Sequence, residues 1–102
     1  MTATRINPTV GAQLVSERYT TQITVNGSSD TRWEISASKS GYTPIMFSDI
    51  SHGWSSSALI GHEHVTFGSG TFKIDGYGRK VVNTGTSVTP TIGVQVLWLK
   101  NQ

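Results

Sequence analysis

His62-Glu63-His64 is the sharpest chemical element in the sequence. Residues two apart on a β-strand point the same way, so this spacing predicts both imidazoles on one face with Glu63 behind them. Such a pair holds Zn or Fe when a third ligand arrives, and His52 is the one remaining histidine. A polar, solvent-facing strand with two incidental histidines is the plainer alternative. Trp54 sits in Ser51-His52-Gly53-Trp54-Ser55-Ser56-Ser57. An indole among small polar residues has few neighbours to bury it, which suits stacking on a sugar ring or a partner chain, or folding back as a lid. Tyr77 lies between Gly76 and Gly78, with Asp75 and Arg79 outside them. Taken as a loop, that is an aromatic surface with charged hydrogen-bonding partners, suited to a glycan; a simple turn with solvated charges uses the same residues. Asp49, three residues before His52, can join either loop.

Enzyme chemistry finds little to work with. Thirteen serines offer hydroxyls, but no Gly-x-Ser-x-Gly elbow selects a nucleophile among them. Only six acids are available to form a glycosidase pair, and most fall on outward strand faces or turns. Phosphate-cradling and dinucleotide-binding glycine motifs are missing, and the absence of cysteine removes thiolate zinc sites, Cys nucleophiles and disulfides together. The expectation is a protein that is not an enzyme.

The elements that would hold these residues are strands. Of 102 residues, 13 are Ser, 14 Thr and 11 Gly, and only 14% are charged, a composition that disfavours helices and suits strands and turns. A net charge of +2 is too small a surplus to predict nucleic-acid binding. No apolar run approaches the about 20 residues that span a bilayer, which predicts no membrane insertion, and Met1–Val10 lacks the apolar centre of a signal peptide.

Residues 1–18 show no clear period and are read as an extended lead-in, with at most two helical turns over Ala12–Arg18. Tyr19, Thr21, Ile23 and Val25 then alternate with polar residues, as do Thr31, Trp33, Ile35 and Ala37 after a turn at Asn26–Asp30; together they predict a hairpin. Pro44-Ile45-Met46-Phe47 predicts a strand buried in the core, and 58–67 another, ending at a Gly68-Ser69-Gly70 turn. Short strands follow at 71–75 and 79–83 around the Gly76–Gly78 loop. Val88, Pro90, Ile92, Val94, Val96 and Trp98 alternate through a long last strand, whose Pro90 must sit at an edge or bulge. Trp33 and Trp98 fall on apolar faces and are read as core. About seven short antiparallel strands make a single all-β, jelly-roll-like sandwich over 19–102.

Two stretches carry a family resemblance. Ser38-Lys39-Ser40-Gly41-Tyr42-Thr43-Pro44, and Asn83-Thr84-Gly85 leading into Val88–Trp98 and then Leu99-Lys100-Asn101, resemble the C-terminal head domains of bacteriophage tail-fibre and tail-tip proteins. The resemblance implies a homotrimeric β-sandwich head, carried on a virion with other tail proteins and working outside the cell, that binds a bacterial surface saccharide. Under it the binding residues are Trp54, His52, Asp49, Tyr77 and Arg79. In a trimer, three His62/His64 pairs would meet on the axis, an arrangement similar to the iron-binding His-x-His of some phage fibre tips. A structural trimerisation or decoration domain without a ligand, and a stand-alone carbohydrate-binding module, are the alternatives.

Overall fold

A computed structural model describes residues 13–26, 30–52, 58–80 and 87–101, the side chains of Ser51 and His52 apart. Six strands follow in order: β1 (Leu14–Gln22), β2 (Thr31–Ser38), β3 (Tyr42–His52), β4 (Ala58–Gly68), β5 (Thr71–Lys80) and β6 (Thr91–Lys100). They form two antiparallel three-stranded sheets, β1-β6-β3 and β2-β5-β4. The chain is thus a small all-β sandwich, with six strands among the described residues where about seven were expected. The count differs because the pieces expected on either side of Gly76–Gly78 are one strand, β5, with Tyr77 in its interior.

Alternation explains the core. Ile92, Val94, Val96 and Trp98 on β6 are all 1% exposed or less. They face Trp33, Ile35 and Ala37 of β2 and Phe72 and Ile74 of β5 in one cluster. Burying each large apolar side chain contributes about 1.5–3 kcal/mol. Both central strands, β5 and β6, are therefore the best-buried ones. Pro90 lies just before β6, outside the ladder, and its carbonyl accepts from Ile23 N at 3.3 Å.

The expected hairpin over 19–38 does not form. β1 pairs with β6 and β2 with β5, so the two strands belong to opposite sheets. Past β1 the chain stays beside the approach to β6, through Val25 N to Val88 O at 2.7 Å and Val88 N to Val25 O at 3.1 Å. Alternation marks which side chains face the core, but it does not choose the neighbouring strand. Residues 14–18, placed in the lead-in, are strand rather than helical turns, because Val15 and Glu17 face Trp98 and Val96 across the ladder.

Edge strands β3 and β4 both carry bulges. In β3 the register slips between Pro44 and Met46, so Ile45 and Met46 are exposed and the 44–47 run is not the buried segment expected. A second slip lies between Ser48 and Ser51, where Asp49 takes φ 56, a left-handed conformation that Asp tolerates better than most residues. Bulges on edge strands interrupt the row of free backbone groups that would otherwise pair with another sheet. The Gly68–Gly70 turn forms as expected, joining β4 to β5, with Gly70 at φ 72.

Candidate functional site

The decisive feature is the bulge in β4. Up to His62 the strand is in regular register, Leu59 facing Arg79, Gly61 facing Tyr77 and His62 facing Gly76. Glu63 is then the extra residue, and the ladder resumes with His64 facing Asp75. One inserted residue reverses the faces that follow. His62 shares the inner side of the sheet with Gly76, whereas His64 shares the outer side with Asp75. The two histidines expected on one face are therefore on opposite faces, and the His62/His64 pair does not form within the chain. His62 instead stacks edge-on against Phe47, ring centroids 6.1 Å apart, beside an aromatic group with Phe67 and Phe72.

On the outer face of β2-β5-β4 the same bulge assembles a charged cluster. Asp75 lies on the central strand, with Arg32 Nη2 2.7 Å from its Oδ2 on one side and His64 Nδ1 3.0 Å from its Oδ1 on the other. Those neighbours cover it so well that this outward-facing carboxylate is only 5% exposed. Glu63 Oε1 lies 3.4 Å from His64 Nδ1 and 3.7 Å from Arg32 Nη1. Burial pushes the Asp75 carboxyl up, but the hydrogen bond from His64 and the Arg32 charge outweigh it and hold the pKa below the ordinary carboxylate value.

Tyr77 and Arg79 continue along that face from Asp75, two residues apart. Arg32 spans from Asp75 to Tyr77: its Nη1 donates to the Tyr77 hydroxyl at 3.1 Å, and its guanidinium stands 5.5 Å from the ring centroid. The Tyr77 hydrogen bond, then the Asp75 charge, raise the Arg32 pKa further. On the β4 side Tyr77 faces Gly61, where a Cβ would have no atom within 4 Å. Open space therefore adjoins an aromatic ring that is 39% exposed, with Leu59 at one end and the Glu63/His64 cluster at the other. Arg79 faces Leu59 and bonds Asp30 Oδ1 through Nε at 2.6 Å.

Of the residues singled out from the sequence, Tyr77 and Arg79 do come together, on a strand rather than a loop. Asp49 belongs to β3 in the other sheet, so it does not join the outer face of β5. The His52 backbone pairs with Ile92 in that same sheet; its side chain, and all of Trp54, lie outside the described residues. Sequence reasoning missed Arg32 and Gly61 and gave Glu63 only a backing role. The outward position of Arg32 was legible in the β2 alternation, but its partner strand was not.

A second concavity lies on the outer face of β1-β6-β3. It is a groove of about 180 Å³ lined by Ser16, Met46, Phe47, Ser48, Gln95 and Leu97. No family model, curated protein or solved structure matches the chain.

Proposed function

We propose that the protein is a non-enzymatic phage-type tail-appendage head that binds a bacterial surface saccharide on the outer face of β2-β5-β4. It would act as a homotrimer, outside the cell, alongside other virion tail proteins. One observation carries the choice of face: the exposed Tyr77 ring, held by Arg32 and flanked by the open space over Gly61. The apolar side of a pyranose can lie against such a ring, while the fixed guanidiniums and carboxylates around it hydrogen-bond its hydroxyls. The phage setting and the trimer rest on the resemblance of the 38–44 and 83–101 stretches.

The test is binding of the full chain to an immobilised panel of purified bacterial surface polysaccharides and teichoic acids. Tyr77→Ala removes the ring, and Gly61→Leu fills the adjoining space without meeting a neighbour at Cβ. Each variant is expected to weaken the binding of whichever polysaccharide the wild type holds by at least about tenfold, or 1.4 kcal/mol, with an unchanged circular dichroism spectrum. Unchanged affinity in both variants removes this face from recognition.

The structural alternative, a trimerisation domain without a ligand, draws on the other outer face. There Met46, 53% exposed, sits opposite Leu97, with the exposed Leu99 two residues on. Apolar residues clustered on a sheet face suit a contact with another chain. Met46→Lys lowering the solution mass from trimer to monomer, with no polysaccharide bound by the wild type, would favour that alternative.

A further inference from the structure

We propose that Glu63, His64 and Asp75 form a zinc(II) site, one per chain, on the outer face of β2-β5-β4. Each of the three residues offers one ligand atom within 4.8 Å of the other two; His64 Nδ1 faces Asp75 Oδ1 on one side and Glu63 Oε1 on the other. Bonds of about 2.0–2.2 Å to a tetrahedral zinc place its ligand atoms about 3.3–3.6 Å apart. The His64–Asp75 and His64–Glu63 separations, 3.0 and 3.4 Å, need little adjustment to reach that spacing.

Three features of the fold favour a metal here over a simple ion-pair cluster. First, the Glu63 bulge turns consecutive residues toward one point, which a regular strand would send to opposite faces. Second, Arg32 engages Asp75 through Oδ2 at 2.7 Å, leaving the facing Oδ1 to His64. That is the outer support that metal-ligating carboxylates usually have, and it orients the carboxylate before any ion arrives. Third, the cluster sets two carboxylates against one guanidinium, an excess of negative charge that a dication offsets. On binding, His64 takes the Nε2–H tautomer and presents the Nδ1 lone pair. The mixed N and O donors suit zinc better than Mg or Ca, which prefer oxygen alone. Three protein ligands leave the fourth position for water or an incoming hydroxyl.

This site differs from a His62/His64 pair in ligands and in stoichiometry. It adjoins the face of the saccharide reading but is tested separately from it, since neither Tyr77 nor Gly61 supplies a ligand.

The experiment is equilibrium dialysis of the full chain against zinc chloride, with metal counted per chain, followed by Co(II) absorption spectroscopy. The wild type is expected to take up one zinc per chain and to show visible Co(II) bands. His64→Gln and Glu63→Gln are expected to weaken uptake at least tenfold and to lose those bands. Both side chains are exposed, 66% and 45%, so neither variant should disturb folding. His62→Gln is expected to bind as the wild type does. The proposal is overturned if the wild type holds no zinc, or if His62→Gln weakens uptake as much as His64→Gln does.

Discussion

Gly76→Ala is expected to destabilise the fold by about 3 kcal/mol, the upper part of the usual range for overpacking. Gly76 is on the central strand β5, opposite His62 and immediately before the β4 bulge. A Cβ there would overlap the Gly61 carbonyl oxygen and lie 2.6 Å from His62 Cα and 2.8 Å from Gly61 C. All three are backbone atoms, so no side-chain rotation relieves the clash; β4 must move away from β5. For a domain of this size the loss corresponds to a fall in Tm of about 10–20 °C. Gly61→Ala is the control, since its Cβ meets nothing within 4 Å, and it should melt within about 0.5 kcal/mol of the wild type. A Gly76→Ala protein that melts alongside the control would refute the close approach of the two strands. Because β4 carries Glu63 and His64, any Gly76→Ala protein that does fold should also bind zinc less tightly.

The second large effect concerns a polar relay on the opposite edge of the sandwich. Trp98, fully buried, donates its indole N–H to the Tyr19 hydroxyl at 3.0 Å. Tyr19 donates in turn to Glu17, whose other oxygen accepts from Lys39 Nζ at 2.8 Å. Lys39 also stands 4.7 Å from the centroid of the Tyr42 ring. The relay ties β1 and β6 to the β2–β3 turn. Tyr19→Phe keeps the ring but removes the acceptor for Trp98, and leaving a buried N–H without a partner costs about 1–3 kcal/mol. We expect a loss of about 2 kcal/mol in urea unfolding; a loss below about 0.5 kcal/mol would mean that the indole has found another acceptor.

The same relay predicts how stability depends on pH. Burial, then the hydrogen bond to Glu17, push the Tyr19 pKa from 10.0 up to about 12. The protonated phenol is favoured in the folded state, so its contribution is complete below pH 10 and is lost as pH rises through about 12. Glu17 works in the other direction. Its hydrogen bonds from Lys39, then Tyr19, lower its pKa from 4.5, so its contribution is complete above the ordinary carboxylate range and is lost in acid. An alkaline titration followed by tyrosinate absorbance should show a late step from Tyr19, and Tyr19→Phe should remove that step. A wild-type titration with no late step would contradict the relay.

Much of the sandwich was legible because alternation is a local property. A period of two tells which side chains face inward whatever the strand's neighbours are, so Trp33, Ile35 and the Ile92–Trp98 series could be assigned to the core directly. Strand partners are a different matter. The strands around Thr21 and Trp33 read as a hairpin, yet they lie in opposite sheets, because pairing is decided by the packing of distant segments.

The candidate site was legible only in part, for two physical reasons. Gly76 and Gly78 read as loop residues because conformational freedom is the commonest use of glycine, whereas Gly76 serves here to let the β4 backbone come close. That placed Tyr77 in a loop, with Arg79 just beyond it, instead of both on an open face of one strand. The histidines failed for a related reason. His-x-His specifies a shared face only in a regular strand, and no residue type in Gly61–Val65 announces a bulge. By itself the sequence determined an all-β chain, its inward faces and a polar, weakly charged exterior. Tertiary structure alone decided that Glu63 is the extra residue in β4. It thereby parted His62 from His64 and brought Glu63, His64, Asp75 and Arg32 together, because cross-strand register is set by the packing of both partners and one inserted residue reverses every face beyond it.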